Sequence, residues 1–351
     1  MPESVASSRV KWVDAAKFIG IFMVSFYHFI DPGGKLYYFA GEFHMPLFFF
    51  LSGFFMKANA ETRFITHLKQ KVKTLLIPYL AFCVLTVAVL TVYTNNFKGT
   101  LEILVAFRHI LLCKDYHPDL TPCLYVGARW FIICLFFISV IYYFIKKYIP
   151  SKWARVVFCL AIYLALENLC PWDVWHFPQL PLGIDRVLYF MFYFCLGDAL
   201  FAPLCKLLGM PNHKKKHVLN FSLLAIGTLA AYIVFSSGSI AAVIGQNISS
   251  LPVVSSLIVI AVRLVLILWV VIFSQYLQTD FAVRAGQNTL YLCGLEQIVR
   301  LALSSVLAFL PITLTFNPFV TVLLALALLW LTNDFVVTPL RRHLATIRSA
   351  A

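Results

Sequence analysis

The chain has 351 residues, of which 61% are hydrophobic and 12% charged, and its mean hydropathy is +0.86. That composition excludes a water-soluble enzyme and describes a polytopic membrane protein. The formal net charge of +13 falls mainly between apolar runs, so it reads as orientation against anionic headgroups and excludes nucleic acid as a partner.

The opening "MPESVASSRVKW" carries no signal-peptide core, and the first apolar run is long enough to span, which predicts a retained helix. A bilayer-length window then predicts ten helices, at 13–30, 39–56, 75–93, 130–145, 155–170, 187–203, 218–236, 253–275, 288–310 and 318–337. The expected fold class is all-α: a membrane helix bundle forming a single domain over 1–351, with no separate soluble domain. Alternate loops place nineteen Lys and Arg residues on one side, from Arg9 and Lys11 to Arg341, Arg342 and Arg348, against six on the other. The positive-inside rule makes the first side, and both termini, cytoplasmic.

Nine cysteines are scattered without a Cys-x-x-Cys pair or a His/Cys cluster at ligand spacing, so no metal site is expected. Cys113, Cys123 and Cys170 fall in predicted outer loops, where free thiols and a disulfide are both open. With no Gly-rich phosphate loop or nucleophile elbow, chemistry is expected from ionisable residues at membrane depth, where each charge needs a partner or a watered cavity.

The first helix, "AAKFIGIFMVSFYHF", holds Lys17 and His28 eleven residues apart. Eleven residues is about three turns and ~16 Å of rise, so both side chains leave one helical face. Lys17 can line a cavity there or snorkel to the headgroups, and Asp14 one turn earlier is its expected ion-pair partner. His44 enters the second helix at a depth comparable with His28, and Glu42 is placed to orient an imidazole as a general base. Glu296 and Arg300, four apart, are expected to pair, whereas Arg263 has no local partner. Asp185 and Arg186 read as an interfacial cap or as acceptor contacts. The adjacent loop "CPWDVWHFPQLPLGID" offers Trp rings that stack on sugar faces or mark the membrane interface.

The segments "WVDAAKFIGIFMVSFYHF" and "FHMPLFFFLSGFF" resemble the opening of the acyltransferase 3 family, integral-membrane O-acyltransferases that modify cell-surface carbohydrates. Further blocks, "KVKTLLIPYLAF", "RWFIICLFF", "PLGIDRVLYFMFYFCLGDAL" and "AGQNTLYLCGLE", extend the likeness over nearly the whole chain. Within the family it most resembles the fucose 4-O-acetylase-like branch, which includes enterobacterial common antigen O-acetyltransferase. The family places a catalytic His eleven positions after a cation, a spacing met by Lys17 and His28. Two departures stand out. Lys69, Lys71 and Lys73 occupy the basic loop where arginines are usual, and Glu296 stands where the ninth-helix motif often ends in His.

The resemblance implies a multi-pass enzyme of the bacterial inner membrane. Acetyl-CoA is the implied co-substrate, no cofactor is bound, and the acceptor is a surface glycan or its lipid-linked precursor. His28, Lys17, His44 and Glu42 are the expected catalytic residues. Arg63, Lys69, Lys71, Lys73 and Arg263 are expected to hold the donor, and Trp130, Asp185, Arg186, Glu296 and Arg300 to contact substrate. Whether His28 acts as base or carries the acyl group stays open. A transporter or flippase of a polysaccharide precursor or polar lipid is the alternative, since buried charges also line such pathways.

Overall fold

A computed structural model describes residues 10–29, 34–56, 62–94, 129–176, 178–208, 214–307 and 318–343. The side chains of His28 and Arg300 lie outside the described residues, as do Cys113 and Cys123. Among the described residues all regular structure is helical.

The first half comprises α1 Lys11–Phe29, α2 Lys35–Gly53, α3 Phe64–Lys71, α4 Ile77–Thr94, α5 Trp130–Tyr148 and α6 Lys152–Leu169. The second comprises α7 Ile184–Leu208, α8 Lys214–Ser237, α9 Ile240–Ser249, α10 Pro252–Phe273, α11 Asp280–Gln287, α12 Thr289–Leu307 and α13 Pro318–Leu331. Four helical segments among the described residues, Trp130–Tyr148, Pro181–Leu208, His217–Ser237 and Pro252–Phe273, are long and apolar enough to cross a bilayer. Three elements were not expected from the sequence: α3, within the basic loop, α9, between the predicted seventh and eighth spans, and α11, between the predicted eighth and ninth.

Local chemistry accounts for several boundaries. Ser151 caps α6 by accepting from the Ala154 N–H, and Thr279 caps α11 by accepting from the Ala282 N–H. Pro252 opens α10, where its missing N–H costs nothing. Between α3 and α4 the helix passes through a π turn over Val72–Leu76. Pro78 offers the Thr74 carbonyl no N–H, and the ladder slips just ahead of it.

The α2 helix is central, packing against α1, α7, α8 and α10. Its crossing with α7 is backbone to backbone: a Cβ on Gly53 would sit 2.0 Å from the Phe194 carbonyl oxygen, and one on Gly197 2.0 Å from that of Phe50. Small residues at such a crossing let helices approach where lipid supplies no hydrophobic drive between them. The α1 helix lies against α2, α11, α12 and α13. Its contact with α11 also needs a glycine, since a Cβ on Gly286 would fall 1.8 Å from the Asp14 carbonyl oxygen.

Side-chain contacts sort the helix ends. At one end Trp12 meets Phe54, Lys146 donates to the Met56 carbonyl, Arg155 reaches Asp198, and Arg341 donates to the Gln287 carbonyl. At the other, Lys35 donates to the Ser236 carbonyl, and Trp172 donates to Asp185. Among the described residues, Lys146, Arg155 and Arg341 thus share an end, here called the basic end, and Trp172 and Asp185 mark the opposite, Trp-bearing end.

Candidate functional site

Lys17, Ile21 and Ser25 recur every four residues along one face of α1, and the helical register carries that face on to position 28. Lys17 stands at the basic end of this face. Its ammonium lies 3.7 Å from the Asp14 carboxylate and 4.3 Å from the centre of the Phe55 ring, so the expected ion pair forms and is joined by a cation–π contact. Farther along, Ile21 and Ser25 line a small crevice between α1, α12 and α13. Leu292, Glu296, Leu328 and Thr332 face them across it.

His44 is buried in α2, where its Nδ1 lies 2.6 Å from the Ala40 carbonyl oxygen. A carbonyl only accepts, so Nδ1 carries a proton and donates to it. The Tyr27 ring packs on the imidazole at 5.2 Å and stacks on Tyr37, whose hydroxyl donates to that of Tyr27 at 2.8 Å.

Glu42 is engaged from α10 and by the N–H of Ile240. Its carboxylate meets the Arg263 guanidinium at 3.3 Å and accepts from the Ile240 N–H at 3.0 Å. Pro46 has no N–H for the Glu42 carbonyl four residues earlier, and Arg263 Nε donates to that oxygen at 3.0 Å. Arg263 also donates to the hydroxyls of Tyr163 and Tyr189 and lies 4.7 Å from the centre of the Trp175 ring. The missing partner of Arg263 is therefore Glu42, more than two hundred residues away in sequence. These contacts set Arg263 beside Trp175, Tyr163 and Tyr189.

Trp130 lies under the Arg186 guanidinium at 4.5 Å, and Phe190 packs between Trp130 and Trp175. Asp185 caps the loop: one carboxylate oxygen accepts from the Trp172 indole and the N–H groups of Gln179 and Leu180, the other from the Arg186 N–H. Nearby, burial pushes the Asp173 carboxyl up, but hydrogen bonds from the His176 ring and the His176 and Trp175 N–H groups outweigh it and hold the group at about 2.

At the basic end, α3 docks on α5 through His67. Its Nε2 donates to the Ser139 carbonyl at 3.1 Å, and its ring stacks on Tyr143, whose hydroxyl donates to the Thr62 carbonyl. Burial lowers the His67 pKa, outweighing the Ser139 hydrogen bond that raises it, and Lys71 lowers it further. Burial likewise lowers the Lys71 ammonium, whereas Arg63, Lys69 and Lys73 are exposed.

Residues 10–333 match the acyltransferase domain of the acyltransferase 3 family. The chain belongs to that family. No curated protein and no solved structure matches it. The family match together with the apolar helices makes this a membrane protein and supports acyltransferase activity.

Within this acyltransferase 3 domain, several buried polar residues escaped sequence reasoning. Arg129, 1% exposed, donates to the Phe82 carbonyl at 3.3 Å and lies within electrostatic reach of Glu296. The Glu296 carboxylate is thus tied to a cation on another helix, in addition to whatever Arg300 does. Asp198 accepts from Tyr142 and Lys146 and pairs with Arg155, joining α5, α6 and α7 at the basic end. The available signal was an Asp inside an apolar run, "FCLGDAL", which demands partners in a membrane.

Proposed function

We propose that the protein transfers an acetyl group from acetyl-CoA, at the cytoplasmic face of a bacterial inner membrane, to a hydroxyl of a surface polysaccharide or its lipid-linked precursor. The observation that carries this reading is the α1 face. It runs from Lys17 at the basic end, past the Ser25 crevice, to the register of His28. Exposed Arg63, Lys69 and Lys73, with half-buried Lys71, supply cations for the phosphates of the donor at the same end. The acceptor class follows the fucose 4-O-acetylase-like motifs and is the finer part of the proposal.

In the direct route His28 takes the acceptor hydroxyl proton as that oxygen attacks the thioester carbonyl. The carbon–sulfur bond then breaks, and the thiolate leaves with the proton from the imidazolium. Lys17 orients the donor, and His44 supports the site as a neighbouring imidazole on α2.

The test uses purified protein in lipid nanodiscs with acetyl-labelled acetyl-CoA and lipid-linked glycans extracted from bacterial membranes. Label is expected on the glycan with wild type and absent with His28→Ala. A folded His28→Ala variant that transfers at the wild-type rate overturns the role of His28. Label retained on protein after quenching, in wild type and not in the variant, identifies an acetyl-histidine route instead. Lys17→Met is expected to raise the acetyl-CoA KM about tenfold, the loss of one charged contact.

A further inference from the structure

The last turn of α1 meets the first turns of α2 through the ring of Tyr27. On α2, Tyr37, Gly41 and His44 are spaced four and then three residues apart, so they share one face of the helix. The Tyr27 ring lies along that face. Its centre is 4.2 Å from that of Tyr37, with the planes 16° apart, and 5.2 Å from that of the His44 imidazole. Gly41 leaves the space between them: a Cβ there would stand 3.0 Å from Tyr27 Cε2, and the ring would have to give by a few tenths of an ångström. Tyr27 is thus a knob in a hole built by α2. The Tyr37 hydroxyl, donating to that of Tyr27 at 2.8 Å, ties the knob in one orientation.

Residue 28 follows directly in the chain, ~100° farther round the same helix. A ring wedged at position 27 fixes both the rotation of α1 about its axis and its height against α2, and the backbone passes that setting to the next residue. An aliphatic side chain could fill the hole, but only a flat ring stacks on Tyr37 and His44 at once. We infer that Tyr27 is a positioning residue for acyl transfer, holding position 28 of α1 in register with His44 of α2. This rests on the acetyl-transfer reading above, in which His28 takes the acceptor proton.

The first experiment is kinetic and separates rate from binding. Tyr27→Leu removes the ring and is expected to lower kcat about ten- to a hundredfold, the effect of misplacing a reacting group by up to ~1 Å, with both KM values unchanged. Tyr27→Phe keeps the ring and is expected to retain most of kcat. Gly41→Ala disturbs the same contact from α2, so it is expected to lower kcat as well, and to cost nothing further once Tyr27→Leu has removed the ring. A folded Tyr27→Leu protein with wild-type kcat, or with raised KM values and kcat intact, defeats the inference. Should Tyr27→Leu not fold, Gly41→Ala carries the same comparison against wild type.

The second experiment needs no turnover. Diethyl pyrocarbonate modifies neutral imidazoles, and peptide mass spectrometry follows each histidine separately. Modification of His28 is expected to quicken several-fold in Tyr27→Leu and to return toward the wild-type rate in Tyr27→Phe, while exposed His343 reacts equally in all three proteins. Equal rates at His28 in wild type and Tyr27→Leu, zero included, remove Tyr27 as a positioning residue. Wild-type protein that never cleaves acetyl-CoA defeats the acetyl-transfer reading, while the modification rates still decide whether Tyr27 sets residue 28.

Discussion

Arg263 shows how one residue ties four helices together. Its guanidinium reaches Glu42 on α2, Tyr163 on α6 and Tyr189 on α7 from its own position on α10. Removing one member of such a buried pair leaves the other charge without its partner, at a cost of about 3–5 kcal/mol. Arg263→Ala and Glu42→Ala are each expected to lower the thermal midpoint of the detergent-purified protein, and the double variant to fall no further than the worse single. Strictly additive losses would show that the two side chains act independently. Arg263→Lys keeps the charge but not the planar fork, and is expected to recover less than half of the loss.

At the scale of the element, α3 is held to α5 by a histidine that must stay neutral. His67 has its pKa lowered by burial, so its protonation opposes docking. The contribution is complete above the unfolded value of ~6.5 and is lost as pH falls through the lower folded value. Backbone amide exchange in residues 62–71, corrected for intrinsic rates, is therefore expected to quicken relative to the rest of the chain below about pH 6.5. His67→Phe preserves the stack on Tyr143 and removes the titration, so its profile should be flat. A variant profile as pH-dependent as wild type would remove His67 as the cause.

Elements also show what the sequence could and could not reveal. Long apolar runs are legible because lipid sets their length, and the predicted 130–145 and 253–275 segments return as α5 and α10. The short α3 is amphipathic, with buried His67 one turn from half-buried Lys71, and a bilayer-length window passes over an eight-residue helix. Side-chain pairing was legible only where it is local: Lys17 with Asp14 follows from helical spacing, whereas Arg263 with Glu42 requires knowing that α10 lies against α2. Pro46 did carry a local hint, since a proline inside a helix leaves the carbonyl of residue 42 in need of a donor.

Across the whole molecule, cations collect at the end where Lys17 sits, and the Trp-bearing loop closes the other. Exposed charges attract a polyanionic donor over roughly a Debye length, ~8 Å at physiological ionic strength. The acetyl-CoA KM is therefore expected to rise steadily with added salt. Lys69→Glu combined with Lys73→Glu should raise it at low salt and flatten the dependence, while the acceptor KM holds. Equal salt slopes for wild type and the double variant would place the phosphates elsewhere.

The glycine crossing of α2 and α7 bears on movement. Where two backbones touch at Gly53 and Gly197, no layer of flexible side chains remains to shear, so these helices travel as one body. The α1–α11 contact at Gly286 is locked in the same manner. A side chain at any of these three positions would have to push two helix backbones apart, so the bundle's spacing there is set by the glycines themselves.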